Sequence, residues 1–440
     1  MVLTEFQCIL NNLDTIRLRG KVRQVIGLTI ESEGPPTQLG EVCLIRFPDS
    51  KLIQSEVVGF RDRRVLLMPL GEMEGISANC EVIATGKPLL VPVSESLKGR
   101  VLDGLGRPID DKPPCRYEDF YPIFNSPPDA LKRPRINKPL PLGIKAIDSL
   151  LTVGKGQRFG IFSGSGIGKS TLMGMIARFT KAEVNVIALI GERGREVRDF
   201  IERDLQPEGL ARSVVIVATS DEAPLIRLRG AFVATAIAEY FRDKGYDVMF
   251  MMDSITRFAR AQREVGLSIG EPPTTRGFTP SVFAILPRLL ERSGTSEKGT
   301  ITGLYTILVD ADDMNEPIAD NVRAILDGHV VLSRDLATRN HYPAIDVLQS
   351  VSRVMIDIVP PNHEQSARRL KEIVATIRDA QDLIDIGAYV KGSNPKIDYA
   401  LSMIDEVNEF LKQGIFEKVD YETSVKQLME LFASKEGIEG

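Results

Sequence analysis

Phe162-Ser163-Gly164-Ser165-Gly166-Ile167-Gly168-Lys169-Ser170-Thr171 sets three glycines ahead of a Lys-Ser pair, directly after the apolar run from Phe159 to Phe162. Strand, glycine-rich turn and helix start in that order make a phosphate cradle. Backbone N–H groups of the turn converge on one anion, the helix N-terminus adds its dipole, Lys169 reaches the outer phosphates and the Ser170 hydroxyl suits a Mg²⁺ ion. A nucleoside triphosphate is the expected ligand, contacted by Ser163, Gly164, Ser165, Gly166, Ile167, Gly168, Lys169, Ser170 and Thr171. Ser163 stands where the strict pattern G-x-x-x-x-G-K-[ST] begins with glycine, so the match is one small residue short. The competing reading, a purely structural turn, does not account for strand, turn, Lys-Ser and amphipathic helix occurring together.

Outward from the cradle, near-continuous apolar runs alternate with helical patterns: residues 158 to 162, 184 to 190, 214 to 217, 248 to 252, 305 to 309 and 329 to 332. Strands that are apolar on both faces and separated by helices imply a parallel sheet covered on both sides, with its ligand at the carboxyl ends of the strands. Asp253 ends one such run, where a carboxylate can hold the water shell of a Mg²⁺ ion beside Ser170. Glu192 follows another run in Gly191-Glu192-Arg193-Gly194-Arg195-Glu196 and faces the same cleft. It suits a base that polarises water for in-line attack on a γ-phosphorus; a salt bridge to Arg193 or Arg195 is the plainer alternative. Arg257, four residues past Asp253, lies one helical turn beyond the strand end, within reach of phosphate or simply on a helix surface. Arg353 is far along the chain from the cradle. Phosphoryl transfer gains from a guanidinium delivered by another protomer, but spacing alone leaves that role open.

On the amino-terminal side the pattern changes. Residues 1–18 place Val2, Phe6, Ile9, Leu10, Leu13 and Ile16 on one helix face, an amphipathic segment that packs on its own domain or docks on a partner or membrane surface. Residues 19–93 carry short alternating runs such as 21 to 26, 41 to 46 and 64 to 67, split by Gly and Pro turns, which suggest a small antiparallel barrel. A proline-rich connector containing Pro108, Pro113, Pro114, Pro122, Pro127, Pro128, Pro134, Pro139 and Pro141 opens the span 94–360, which carries the cradle and the parallel sheet. From 361 to 440 the pattern is helical. Leu370, Ile373, Val374 and Ile377 share one face and Ile404, Val407, Phe410 and Leu411 another, separated by Gly392-Ser393-Asn394-Pro395.

Composition sets outer limits. The chain's 440 residues exceed what one hydrophobic core serves, and 43% apolar with 26% charged residues is ordinary for a globular protein. A net charge of −5 argues against a mainly nucleic-acid-binding role. Cys8, Cys43, Cys80 and Cys115 have no CxxC spacing, and the N-terminus lacks the pattern of a secretory leader, so a reducing, cytoplasmic setting is expected. No apolar run approaches the ~18 residues needed to span a bilayer, and the three histidines form no metal set.

With these residues in hand, a resemblance emerges. Pro343-Ala344-Ile345-Asp346 and Ser350-Val351-Ser352 resemble the signature segment of the rotary ATPase α/β subunits. With Leu189 to Ile201, Ala261-Gln262-Arg263-Glu264, Gly270-Glu271-Pro272-Pro273, Ala324-Ile325-Leu326-Asp327-Gly328-His329 and His341-Tyr342-Pro343-Ala344-Ile345-Asp346, the chain is similar to the flagellar and type III protein-export ATPases over nearly its whole length. The resemblance implies a multidomain α/β protein: an N-terminal antiparallel β-barrel, a RecA-like parallel-sheet P-loop ATPase core and a C-terminal helical domain, assembled as a homohexamer with nucleotide between protomers. It implies Mg²⁺-dependent ATP hydrolysis with Glu192 as catalytic glutamate, Asp253 near the metal, Arg257 on phosphate, Arg353 as a neighbour's arginine finger and Tyr342 against the adenine. It also implies a dimeric stator-like regulator and peripheral membrane attachment at the N-terminal segment, a coiled-coil stalk in the pore, and an export gate, substrates and chaperones as partners, at the inner face of the cytoplasmic membrane.

Three alternatives share part of this chemistry. A catalytic β subunit of a rotary synthase would carry an acidic C-terminal segment where this chain reads Gly387-Ala388-Tyr389-Val390-Lys391-Gly392-Ser393. A non-hydrolysing structural subunit would lack Glu192. A hexameric RNA-translocating terminator is disfavoured by the acidic balance and the absence of RNA-stacking aromatics in the barrel segment.

Overall fold

The computed structural model describes residues 18–309 and 313–433. The expected amphipathic segment lies outside them but for Leu18. The described chain separates into two compact units, one comprising residues 18–90, 223–226 and 261–280 and the other residues 91–222, 227–260 and 281–433.

In the first unit six strands close into an antiparallel barrel: β1 (Arg19–Ile26), β2 (Thr29–Glu33), β3 (Glu41–Arg46), β4 (Leu52–Arg61), β5 (Arg64–Pro69) and β6 (Glu81–Pro88), in the order β1-β2-β5-β4-β3-β6. Alternation along each strand turns Val22, Ile30, Cys43, Ile45, Val57, Leu67 and Val82 inward to one small core. Closure removes the unpaired edges that a sheet of this size would otherwise expose. At Gly20 the fold demands glycine, since a Cβ there would sit 2.0 Å from the carbonyl oxygen of Gly34.

The second unit is built on a nine-stranded sheet. Strands β7 (Leu90–Val93) and β9 (Asp119–Pro122) pair with each other, so the proline-rich connector holds a small ladder of its own. Strand β8 (Arg100–Asp103), in the span read as connector, instead joins the main sheet at its edge. The sheet continues through β10 (Arg158–Ser163), β11 (Val184–Ile190), β12 (Ser213–Ala218), β13 (Asp247–Asp253), β14 (Gly294–Thr295), β15 (Thr300–Leu308), β16 (Gly328–Leu332) and β17 (Ile345–Ser352). Its order is β17-β16-β10-β15-β13-β11-β12-β8, with β14 pairing β15; β14 and β17 run antiparallel and the rest parallel. All seven residues of β11 are buried, as a strand with helices on both faces must be.

Three helices, Pro361–Asp385, Pro395–Leu411 and Tyr421–Ala433, close the chain. Leu370, Ile373, Val407, Phe410, Leu411, Leu428 and Phe432 share one apolar core with Leu142, Ile144 and Ile147 around the short helix Lys145–Leu150. His363 fastens this seam, its Nε2 lying 2.6 Å from the Ser149 carbonyl oxygen.

Candidate functional site

Neighbouring parallel strands bring the expected carboxylates to one sheet end. β10 lies beside β15, β15 beside β13 and β13 beside β11, so the ends of β10, β13 and β11 deliver the cradle, Asp253 and Glu192 to a single cleft. Ser163 is the last residue of β10, paired with Leu308 on one side and Leu332 on the other. Its backbone is therefore extended and has no need of glycine. The turn begins after it, and Gly166 (φ 78°) and Gly168 (φ 92°) carry the left-handed conformations. A Cβ on Gly166 would meet nothing within 4 Å, so that side of the turn is open to a ligand. Lys169 opens the helix Lys169–Phe179, and Ser170 and Thr171 follow in its first turn.

Lys169, Asp253, Glu192 and Arg257 form one charged cluster. The Lys169 ammonium donates to Asp253 Oδ1 and lies 3.7 Å from Glu192 Oε1. Asp253 Oδ1 also accepts from the Thr306 hydroxyl at 2.7 Å. Arg257 Nη2 lies 3.0 Å from Glu192 Oε2, and its Nη1 donates to the Gly191 carbonyl. Arg193 and Arg195, the alternative partners of Glu192, pair instead with Glu196 and Asp199 on the exposed helix face. Glu192 Oε1 is buried and accepts no hydrogen bond. Burial raises the Glu192 carboxyl well above the ordinary glutamate range and the Asp253 charge adds to that rise, against the opposing pull of Lys169 and Arg257. A carboxylate so placed is a strong acceptor, with one oxygen that has an ion-pair neighbour but no hydrogen bond.

Tyr342 is 43% exposed and faces the cradle: its Cε1 would stand 3.7 Å from a Cβ on Gly168. The cleft between them is also lined by Leu172, Met175, Gln413 and Ile415. Sequence reasoning missed this wall. Gln413 and Ile415 come from a loop far down the chain, and no periodicity ties that loop to the cradle. Thr306 was missed too, although a hydroxyl inside the apolar run Thr300–Leu308 was a signal that it had a partner to hold.

Arg353 does not join this cluster. Ser163 lies beside Leu332, and Leu332 pairs with Ile345 at the start of the antiparallel β17. The strand then runs away from the cradle, and eight residues at ~3.3 Å each carry Arg353 roughly 25 Å to the opposite sheet end. Among the described residues its exposed guanidinium has no hydrogen-bond or ion-pair partner.

Comparison with known proteins accords with this geometry. Residues 143–352 match the ATP synthase alpha/beta family nucleotide-binding domain, 22–86 that family's beta-barrel domain and 359–430 the T3SS EscN ATPase C-terminal domain. The chain is 55% identical over 425 residues to the flagellum-specific ATP synthase of Bacillus subtilis, covering 96% of this chain and 97% of that one. It is 52% identical over 413 residues to the type 3 secretion system ATPase of Xanthomonas euvesicatoria, covering 94% and 93%. The solved structure of the assembled ATPase EscN from enteropathogenic E. coli superposes with a TM-score of 0.89 at 42% identity, over 94% of this chain and all of that one. EscN in complex with its central stalk EscO gives 0.88 at the same identity and coverage. With barrel, nucleotide-binding sheet and helical C-terminus all matched in order, the chain belongs to the ATP synthase alpha/beta family, among the flagellum-specific ATP synthases and type 3 secretion system ATPases.

Proposed function

We propose that this chain hydrolyses ATP as a homohexameric ring and so energises protein unfolding, chaperone release and export through a flagellar or related type III secretion apparatus. The observation that carries the reading is the buried Glu192 carboxylate beside Lys169 and Asp253, whose Oε1 accepts no hydrogen bond. A nucleotide-binding module without turnover has no use for a carboxylate held at that cost. Family membership favours this reading over a β-type synthase subunit or an RNA-translocating terminator.

In this reading Ser163 to Thr171 wrap the phosphates and Tyr342 packs on the adenine. Lys169 leaves Asp253 for the outer phosphates, Arg257 steadies the γ-phosphoryl group, and Glu192 takes the proton of the attacking water. The donor set fits Mg²⁺: hard oxygens from Ser170 and, through water, Asp253, with the Lys169 ammonium on Asp253 marking where positive charge is stabilised. The ion would supply charge neutralisation between the phosphates, and this chain's residues orient it.

Arg353, stranded at the far sheet end, serves the neighbouring protomer's nucleotide. Residues 19–93, 94–360 and 361–440 act as barrel, ATPase domain and C-terminal helical domain. The complex of EscN with its central stalk EscO supports a central stalk as partner here as well. A stator-like regulator at the N-terminal segment, an export gate, export substrates and their chaperones complete the assembly, at the inner face of the cytoplasmic membrane. None of the described helices is long and apolar enough to cross a bilayer, so the attachment proposed is peripheral. Glu192→Gln should lower turnover by about a hundredfold or more while leaving ATP binding intact, read by phosphate release and by equilibrium binding. Unchanged turnover would remove Glu192 from the chemistry.

A further inference from the structure

The first half of the loop between the helices Pro395–Leu411 and Tyr421–Ala433 inverts the usual pattern of burial. Its apolar residues Ile415 and Phe416 are 46% and 68% exposed, whereas the polar Gln413 is 5% exposed. A buried amide is tolerated only when its hydrogen-bonding groups are met, and those of Gln413 are. Its Nε2 donates to the carbonyls of Gly143 and Glu417, each at 2.8 Å, and its Oε1 accepts from the Lys145 backbone N–H at 2.8 Å. The Gln413 backbone N–H donates at 3.0 Å to the carbonyl of Tyr342. A second tie comes from the cradle's own helix, where Arg178 Nη2 donates to the Ile415 carbonyl at 2.7 Å and its guanidinium sits 5.4 Å from the Phe416 ring centre.

These bonds have one geometric consequence. They fix Ile415 and Tyr342 in the walls of the cleft that opens beside Gly168. We propose that Gln413 is a positioning residue for the nucleotide base: its side chain fastens the loop to Gly143 and Lys145, which sets the loop where its backbone meets Tyr342 and preforms the slot, and it touches neither the phosphates nor the reacting atoms. The proposal rests on the reading above that Tyr342 packs on the adenine. A preformed slot spares the nucleotide the entropy of ordering two chain segments, so its loss appears in affinity far more than in chemistry.

Inorganic tripolyphosphate isolates the effect, because it engages the cradle without a base. In the full chain with Mg²⁺, Gln413→Ala should raise KM for ATP about tenfold with a much smaller change in kcat, and should leave the affinity for tripolyphosphate where it was. Were the alanine variant not to fold, Gln413→Glu keeps the length and the acceptor for Lys145 but loses both donated bonds. It should show the same split between ATP and tripolyphosphate. Parallel weakening of both ligands would reduce Gln413 to a structural residue, and an unmoved KM for ATP in a folded variant would equally overturn the proposal. Tyr342→Ala separates this inference from the reading beneath it. If that variant weakens ATP but not tripolyphosphate while Gln413→Ala does nothing, the positioning role alone fails. If Tyr342→Ala leaves ATP affinity untouched, the base slot itself is wrong.

Discussion

At the scale of single residues, the environment of Glu192 makes a statement about pH. Burial, then the Asp253 charge, raise its carboxyl, and Lys169 and Arg257 oppose the rise. A base works deprotonated, so activity is present above its folded pKa and lost as pH falls through it. The acid limb of kcat/KM, which reports the free enzyme, should therefore lie well above the ordinary glutamate range. Removing a cation that favours the charged form should push it higher still, so Arg257→Gln should shift the limb upward in a pH–rate profile. A limb that stays put in that variant belongs to the substrate. The same scale shows why the cradle was legible from sequence although Ser163 broke the pattern. The two positions that need left-handed backbone, 166 and 168, are both glycine, while Ser163 occupies extended strand where any small residue fits.

At the scale of elements, legibility followed burial. The runs at 184 to 190 and 248 to 252 stood out because strands covered on both faces are apolar throughout, and they emerge as β11 and β13 with bounds within a residue of those read. Strand β8 was not legible. It is four residues long, sits at the sheet edge and is flanked by turn-forming residues, so neither length nor periodicity marks it. Side chains hold it in place. Arg100 forms a buried bidentate pair with Asp110, at 2.8 Å and 2.7 Å, and the Val101 N–H also donates to Asp110. Burial alone would raise the Asp110 carboxyl, but the Arg100 pair and the backbone donors prevail and bring it down to about 2. A depressed carboxylate contributes stability that is present above the unfolded value near 4 and lost as pH falls through about 2. Asp110→Asn should cost about 2 kcal/mol at neutral pH, seen as a lower thermal midpoint. The gap to wild type should narrow as pH falls from 4 towards 2. A gap that does not change with pH would mean that the pair's shape matters and its charge does not.

At the scale of the whole molecule, the proposed site is half a site. Everything that Lys169, Asp253, Glu192 and Arg257 need lies at one end of one sheet, and local sequence pointed to each of them. Arg353 was illegible from spacing for a physical reason: β17 carries it to the sheet end opposite its own chain's cleft, so no local pattern ties it to the cradle. A ring reconciles the two ends, because the face that carries Arg353 on one protomer can meet the cleft of the next. This arrangement predicts complementation between two inactive proteins. Glu192→Gln lacks the base but keeps its arginine, and Arg353→Ala lacks the arginine but keeps its base. Each pure ring should bind ATP and turn over poorly. In a mixed ring, every interface that joins an intact Glu192 from an Arg353→Ala copy to an intact Arg353 from a Glu192→Gln copy is a complete site. Mixing the two variants under conditions where rings exchange subunits should therefore restore a measurable fraction of wild-type phosphate release. The gain should rise with total protein concentration as rings form. An arginine acting within its own chain would leave every copy in the mixture deficient in one group, and no activity would return at any ratio.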